Sequence, residues 1–205
     1  MESHTMHYDT LIKVTGAISE SKDPEEVALM TAESVKSAFN AKGCSIFIVN
    51  RESNELELAA SRGLSDEYLQ KGPVNYLKSL KEIQEAGPVA IYDVKDDPRI
   101  QYPDAAANEG IASILGVPIV VRGKTIGSLR LYTAAPWEFS MMDINLVQAV
   151  AQICGMAMDM CRLQKGYKTS IEILKQMREP GALKSTKWTP YEGVPKSVSR
   201  SLCDY

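Results

Sequence analysis

Between Ile111 and Tyr132 two apolar runs are separated only by the tetrapeptide Val121-Arg122-Gly123-Lys124, and that stretch constrains the fold more than any other. Runs joined by so short a turn pair as an antiparallel hairpin, because a parallel pair needs a crossover of about a dozen residues or more. The second run, residues 125–133, alternates in character. Ile126, Ser128, Arg130 and Tyr132 fall on one face and Gly127, Leu129 and Leu131 on the other, so a cation and a phenol stand back to back with two leucines. Pro136 follows, and Ser140 with Asp143 supplies the capping pair of a final helix.

The segments before the hairpin read as helices and short strands. Leu11, Val14 and Ile18 recur at near-helical spacing. Asp23-Pro24-Glu25-Glu26 opens a second helix over residues 24–39, with Asp23 as its cap, Pro24 in the first turn and Glu26 at the reciprocal capping position. Val27, Thr31, Val35 and Ala38 or Phe39 form its core-facing side, and Asn40 and Gly43 stop it. Residues 44–49 are predicted as a strand, and residues 51–54 turn into another over 55–61. There Leu56, Leu58 and Ala60 alternate with Glu57, Ala59 and Ser61, the pattern of a half-exposed antiparallel strand. A short turn at 65–69, a helix over 76–86 ended by Gly87-Pro88, a strand over 89–91 and a small helix through Asn108 and Gly110 lead to the hairpin strands, 111–121 and 125–133. Helices at both sequence ends with antiparallel strands between them place the chain in the α+β class rather than among doubly wound parallel folds.

Charge and residue counts then remove whole classes of function. The chain carries 23 basic and 26 acidic residues with no large block of either sign, so a surface that tracks phosphates is not expected and nucleic acid is not an expected partner. No uninterrupted apolar run reaches the roughly 20 residues that cross a membrane, and a soluble, cytoplasmic protein is predicted. Cys44, Cys154, Cys161 and Cys203 lack metal-type pairing and read as reduced, mostly structural thiols. His4 and His7 are the only histidines, both in a terminal segment, so a buried histidine triad or a histidine-rich metal centre is unavailable and no metal is expected. No paired nucleophile and base is visible, and the reading is non-enzymatic.

The run from Val117 to Tyr132, together with Cys44-Ser45-Ile46-Phe47, Ala60-Ser61-Arg62-Gly63-Leu64 and Asp97-Pro98-Arg99, resembles the bacterial GAF domain family over about residues 8–163. The resemblance implies a GAF-like α+β fold: a central antiparallel sheet of about six strands, terminal helices on one face, and a pocket under loops and short helices on the other. It implies a small-molecule sensor, an oligomerisation module, or both. On the pocket side it would set Ser128, Arg130 and Tyr132 of the last strand, with Tyr92, Asp93, Arg99 and Tyr102 in or beside a lid and Ser113 on the preceding strand. Arg130 could meet a ligand, or pair with a carboxylate such as Asp93 to fix the lid; Asp93 and Asp97 could equally cap local turns. The ligand and any cofactor are left unknown. The Asn-Lys-Phe-Asp-Glu combination of cyclic-nucleotide-binding members is absent, no internal histidine can ligate haem, and no cysteine stands in the context that attaches a linear tetrapyrrole. The cysteines are not grouped as a thiol-based methionine sulfoxide reductase would need.

Leu146, Val150, Ile153, Ala157, Met160, Gln164, Tyr167, Ile171 and Leu174 alternate steps of four and three, as in a heptad seam that only Gln164 interrupts. One helix to about residue 178 would rise roughly 55 Å. That length suggests a homodimer or contact with a signalling partner, although Gly155 and Gly166 weaken the helix and a core helix ending near Leu163 is the alternative. The chain thus divides into a flexible start (1–7), a sensory domain (8–163), a helical extension (164–178) and a tail or linker (179–205) in which Trp188, Tyr191 and Val194 could dock. Two functions stay open: a sensor for a small cytoplasmic ligand, transmitting through helix-mediated contacts, or a ligand-free homodimeric signalling scaffold.

Overall fold

The structure is a computed structural model, and it describes residues 9, 11–16, 18–19, 21, 23–50, 53, 56–70 and 87–177. Along the chain run α1 (residues 11–16), α2 (Pro24–Ala38), β1 (Gly43–Val49), β2 (Leu56–Arg62), α3 (Asp66–Leu69), β3 (Val89–Ile91), α4 (Pro103–Glu109), β4 (Ser113–Val121), β5 (Lys124–Thr133) and α5 (Met141–Met177). The expected helix over 76–86, the tail from residue 179, and His4, His7 and Cys203 lie outside the described residues. The chain divides into two units, residues 1–163 and 164–205.

Arg122 and Gly123 at the hairpin tip both take positive φ, 51° and 74°, the turn geometry that matches the twist of the strands it joins. From that hairpin the sheet extends in the order β2-β1-β5-β4-β3, antiparallel throughout. Five strands are present among the described residues, against about six implied by the family resemblance. The strands predicted from residue pattern are the five observed.

Local capping sets the helices. Asp23 accepts from the Glu25 amide at 3.1 Å, but Glu26 does not close a reciprocal box as expected: its carboxylate accepts from the Ser21 hydroxyl at 2.7 Å, and Ser21 also accepts from the Asp23 amide. At α5 the expected pair forms: Asp143 accepts from the Ser140 amide at 2.9 Å and hydroxyl at 2.8 Å, while Ser140 Oγ accepts from the Asp143 amide.

One sheet face is an apolar layer. Cys44, Ile46 and Ile48 of β1, Leu115, Val117 and Ile119 of β4, and Leu129 and Leu131 of β5 are buried there with Val27, Ala32 and Val35 of α2 and Val147, Val150, Ala151, Cys154 and Met158 of α5. Two expectations are corrected by this packing. In β2, Ile46 pairs with Ala60 but Phe47 pairs with Leu58, so Ala59 is an extra residue. That bulge turns Leu56 toward Phe47 while Ala60 stays with Ile46, and Leu58 is left 42% exposed. In α5, Leu146 and Val150 belong to the domain's own core and are not free for a seam. Gly155 lies where the helix crosses the hairpin most closely: a Cβ there would stand 2.5 Å from Ile119 Cγ2. Gln148 Nε2 donates to the Pro118 carbonyl at 3.1 Å, and Arg122 reaches Asp159 at 2.9 Å, fixing the hairpin to the helix.

In the second unit, residues 164–177 are helical, and Tyr167, Ile171, Ile173 and Leu174 are exposed. The segment Met141–Lys175 is long and apolar enough to cross a membrane by composition, but its apolar side in the first unit is spent on the sheet.

Candidate functional site

The other face of the sheet is built from different residues. Ser61 of β2, Ser45 of β1, Arg130 of β5, Gly116 of β4 and Val89 of β3 stand in register as one row across all five strands. The adjacent row runs Leu58, Phe47, Ser128, Pro118. Because β5 sends Leu129 and Leu131 to the helices, alternation sends Ser128, Arg130 and Tyr132 here, as the sequence predicted, but Ile126, expected on this face with them, packs against the helix-side core near Gly155, where the β4–β5 register shifts between Ile119 and Val120.

Tyr132 is buried, and its hydroxyl lies 3.0 Å from Ser45 Oγ. Its ring meets Tyr68 of α3 edge to face, with centroids 5.9 Å apart. Burial raises the Tyr132 phenol above its ordinary value, while the Arg130 guanidinium and the Ser45 hydroxyl pull it down. Burial raises Tyr68 as well, with Tyr132 beside it acting in the same direction. Both phenols are therefore neutral hydrogen-bonding groups at neutral pH. Arg130 is half-buried with Cζ 5.0 Å from the centroid of the Phe47 ring, a cation over an aromatic face. Ser128 is fully buried, and its hydroxyl has no hydrogen-bond partner among the described residues; the buried hydroxyl of Ser61 is in the same condition. Such a group costs about 1–3 kcal/mol, so two on one face call for an explanation.

The β3–α4 loop holds the expected lid residues, mostly by its own bonds. Asp93 accepts from the Lys95 amide at 3.0 Å and so caps its turn; it is this amide, and not Arg130, that the structure gives it as a partner. Asp97 receives the Arg99 guanidinium, with Nε donating to its two oxygens at 2.9 and 3.1 Å and Nη2 also donating, and that contact holds the Asp97 carboxyl below its ordinary value. Arg99 Nη2 lies 3.4 Å from the Ala90 carbonyl, tying the loop to β3. Tyr102 caps α4 by position, and its hydroxyl accepts from Gln101 at 3.1 Å. The Tyr92 side chain is 59% exposed. Ser113 shares the opposite sheet face with Leu115. Its buried hydroxyl donates to the Tyr92 carbonyl and accepts from the Trp137 amide at 2.7 Å, a brace between the lid and the approach to α5.

Sequence reasoning missed Ser45, Phe47, Ser61, Tyr68 and Glu109. The alternation in Cys44-Ser45-Ile46-Phe47 would have given the first two. Glu109, at the end of α4, accepts from the Ser65 amide at 3.1 Å and from its hydroxyl, with Lys42 Nζ 3.6 Å away. Ser65 in turn accepts from the Tyr68 amide, so this link orients the helix that presses Tyr68 on Tyr132. Burial pulls the Glu109 carboxyl upward, but Ser65 and Lys42 outweigh it and hold the group below its ordinary value. Among the described residues no group of three His, Cys, Asp or Glu is placed to hold a metal.

The family model described as GAF domain matches residues 23–158. The chain belongs to the GAF domain family. Among solved structures it is similar to the GAF domain of a phosphoenolpyruvate-protein phosphotransferase from Coxiella burnetii, with TM-score 0.70 and 19% identity over 79% of this chain and 98% of that one. The corresponding domain from Acinetobacter gives TM-score 0.66 and 20% identity over 78% and 98%. A free methionine-R-sulfoxide reductase from Neisseria meningitidis in complex with its substrate gives 0.65 and 19% over 77% and 91%. At these identities the likeness is one of fold. No curated protein matches the chain. GAF domains are in general signal-sensing, regulatory domains, and that is the class of this chain.

Proposed function

We propose that this GAF domain is a non-catalytic sensor that binds a small cytoplasmic ligand against the Arg130 face of its sheet and transmits through helix-mediated contacts. The observation that carries the reading is the buried hydroxyl of Ser128, without a hydrogen-bond partner among the described residues, on the face that also holds a half-buried arginine and two neutral tyrosines. A layer meant only for packing has no use for that combination. A non-catalytic role is favoured by the thiols: Cys44, Cys154 and Cys161 are buried and free. Burial, then the nearby Cys154, raises Cys44, and burial pushes Cys154 up to about 11, whereas thiol catalysis needs an accessible thiolate. Free buried thiols also suit a reducing, cytoplasmic setting.

Exposed Tyr167, Ile171 and Leu174 support output through a second copy or a signalling partner, because large apolar groups recurring at steps of four and three form an interaction stripe. That same stripe favours the second reading, a ligand-free homodimeric scaffold. Calorimetric titration of the full chain with a broad metabolite panel separates the two: the sensor gives at least one saturable heat, and silence across the panel leaves the scaffold. Light scattering across concentration tests the dimer, which a monomer at high micromolar concentration would exclude.

A further inference from the structure

We infer that Ser113 is a positioning residue whose hydroxyl couples the lid loop to the helix layer, so that the Tyr92 carbonyl and the Trp137 amide are held or released together. This rests on the sensor reading for its use, since it names how a change at the polar face reaches the approach to α5. The geometry itself needs no ligand. Two separate apolar clusters meet at this hydroxyl. Tyr92 is flanked in the chain by Ile91 and Val94, which are buried with Tyr68 and Tyr132 of the polar face. Trp137 belongs to the other side: its ring stacks on Phe139 with centroids 6.1 Å apart and meets Phe39, the C-cap of α2, edge-on at 6.4 Å. Phe39 and Phe139 are both part of the core that joins α2 and α5 to the sheet.

The chemistry of a single hydroxyl makes its two bonds depend on each other. An amide only donates and a carbonyl only accepts, so Ser113 gives its one proton to Tyr92 and receives the Trp137 N–H at 2.7 Å. A hydroxyl that donates is a better acceptor, and each bond strengthens the other. Ser113 is fully buried, so bulk water cannot take over either role while the site is closed. When the Tyr92 carbonyl leaves, the hydroxyl either keeps an unpaired buried proton or turns to find another acceptor, and both weaken its hold on Trp137. Other bonds of the lid end elsewhere. Arg99 reaches the Ala90 carbonyl of β3, and the Val94 amide donates to the Ala112 carbonyl at 2.9 Å, just before β4. These fix the loop to the sheet, whereas the Ser113 bridge runs on to the segment that starts α5.

The test is a double-mutant cycle on the full chain, read by amide hydrogen exchange in NMR without any ligand. Asp93→Ala loosens the lid beside Tyr92 by deleting the bond from the Lys95 amide. Ser113→Ala removes the bridge. Exchange at the Trp137 amide is measured relative to the Leu129 amide in the middle of the sheet, which reports global unfolding. In the wild-type background D93A should speed Trp137 exchange about fivefold, the equivalent of one hydrogen bond, although the substitution lies on the lid. In S113A the Trp137 amide should already exchange fast, and adding D93A should change it by less than about twofold. A residue that merely fills space on β4 would give no such loss of coupling. Trp137 exchange that D93A leaves unchanged, or that rises equally with and without Ser113, overturns the inference. If S113A fails to fold, the D93A arm alone still decides, because unchanged exchange there is enough to sink the coupling. A failed cycle leaves the ligand site standing, and a silent metabolite panel leaves the coupling standing.

Discussion

The two faces of one sheet are built from different side chains and meet different requirements. Toward α2 and α5, β1, β4 and β5 present Cys44, Ile46, Leu115, Val117, Ile119, Leu129 and Leu131, all fully buried. On the other side the same strands present Ser45, Phe47, Gly116, Ser128, Arg130 and Tyr132. Alternation along a strand lets each face answer to a separate requirement, since neighbouring residues share a backbone but not an environment. The first face supplies stability by apolar burial. The second carries buried polar groups that cost stability unless something satisfies them.

The largest expected effect is on the apolar face. Leu129→Ala removes a fully buried side chain from the middle of the sheet, and large-to-small changes at such sites cost about 2–5 kcal/mol. Urea unfolding measures this, and a cost below about 1 kcal/mol would mean that this face is not the tightly packed layer described. Next comes Gly155→Ala, where two effects of known sign compete. Alanine favours the helix by up to about 1 kcal/mol. Its Cβ would meet Ile119 Cγ2 at 2.5 Å and Val121 Cγ2 at 3.0 Å, both on stiff β-branched side chains, and overpacking costs about 1–3 kcal/mol. A net loss of about 1 kcal/mol is expected. Gly166→Ala, with nothing within 4 Å of its Cβ position, should instead raise helix stability, so the pair predicts opposite signs for one substitution in one helix.

The division between the faces was legible in β5 because it is written in a single strand: the alternation of Ser128, Arg130 and Tyr132 with Leu129 and Leu131 needs no knowledge of the partner strands. Caps at Asp23 and Ser140 were legible for the same reason, being contacts within one turn. What the sequence concealed was set by segments far apart. The Ala59 bulge exists only in the register between β1 and β2, and it reverses which way Leu56 and Leu58 point relative to Ala60. Gly155 reads as a weak helix residue until the hairpin is laid across it. Ser113 is polar and on a strand, as a pocket residue would be, but its hydroxyl answers backbone groups 21 and 24 residues away. Ser65 and Glu109, 44 residues apart, gave no local sign of meeting.

That last pair sharpens the comparison from the polar side, with an effect of about 1 kcal/mol. The Glu109 carboxyl is held below its ordinary value of 4.5, so its contribution is present above that pH and is lost as pH falls through the lower, folded-state value. Glu109→Gln should be less stable than wild type near neutral pH, and the gap should close as pH falls from the ordinary value of 4.5 through the lower, folded-state one. Thermal melts across pH check this. A gap that is independent of pH would mean that Glu109 acts through shape alone.

The smallest expected change in stability is also the one that separates the faces most cleanly. Ser128→Ala removes one oxygen from a fully buried side chain in the same strand as Leu129. On an apolar face, deleting a buried atom always costs, through lost contacts and the space left behind. Here the deleted atom is a hydroxyl without a hydrogen-bond partner among the described residues, and its removal relieves a desolvation cost that the apo protein bears. The two terms oppose each other, and the apo protein should be unchanged or more stable by less than about 1 kcal/mol. Equilibrium unfolding in the absence of any ligand reads this directly. A loss of about 2 kcal/mol or more would place Ser128 among the structural hydroxyls, as Ser113 is, and the polar face would then be held together by its own bonds rather than by a guest.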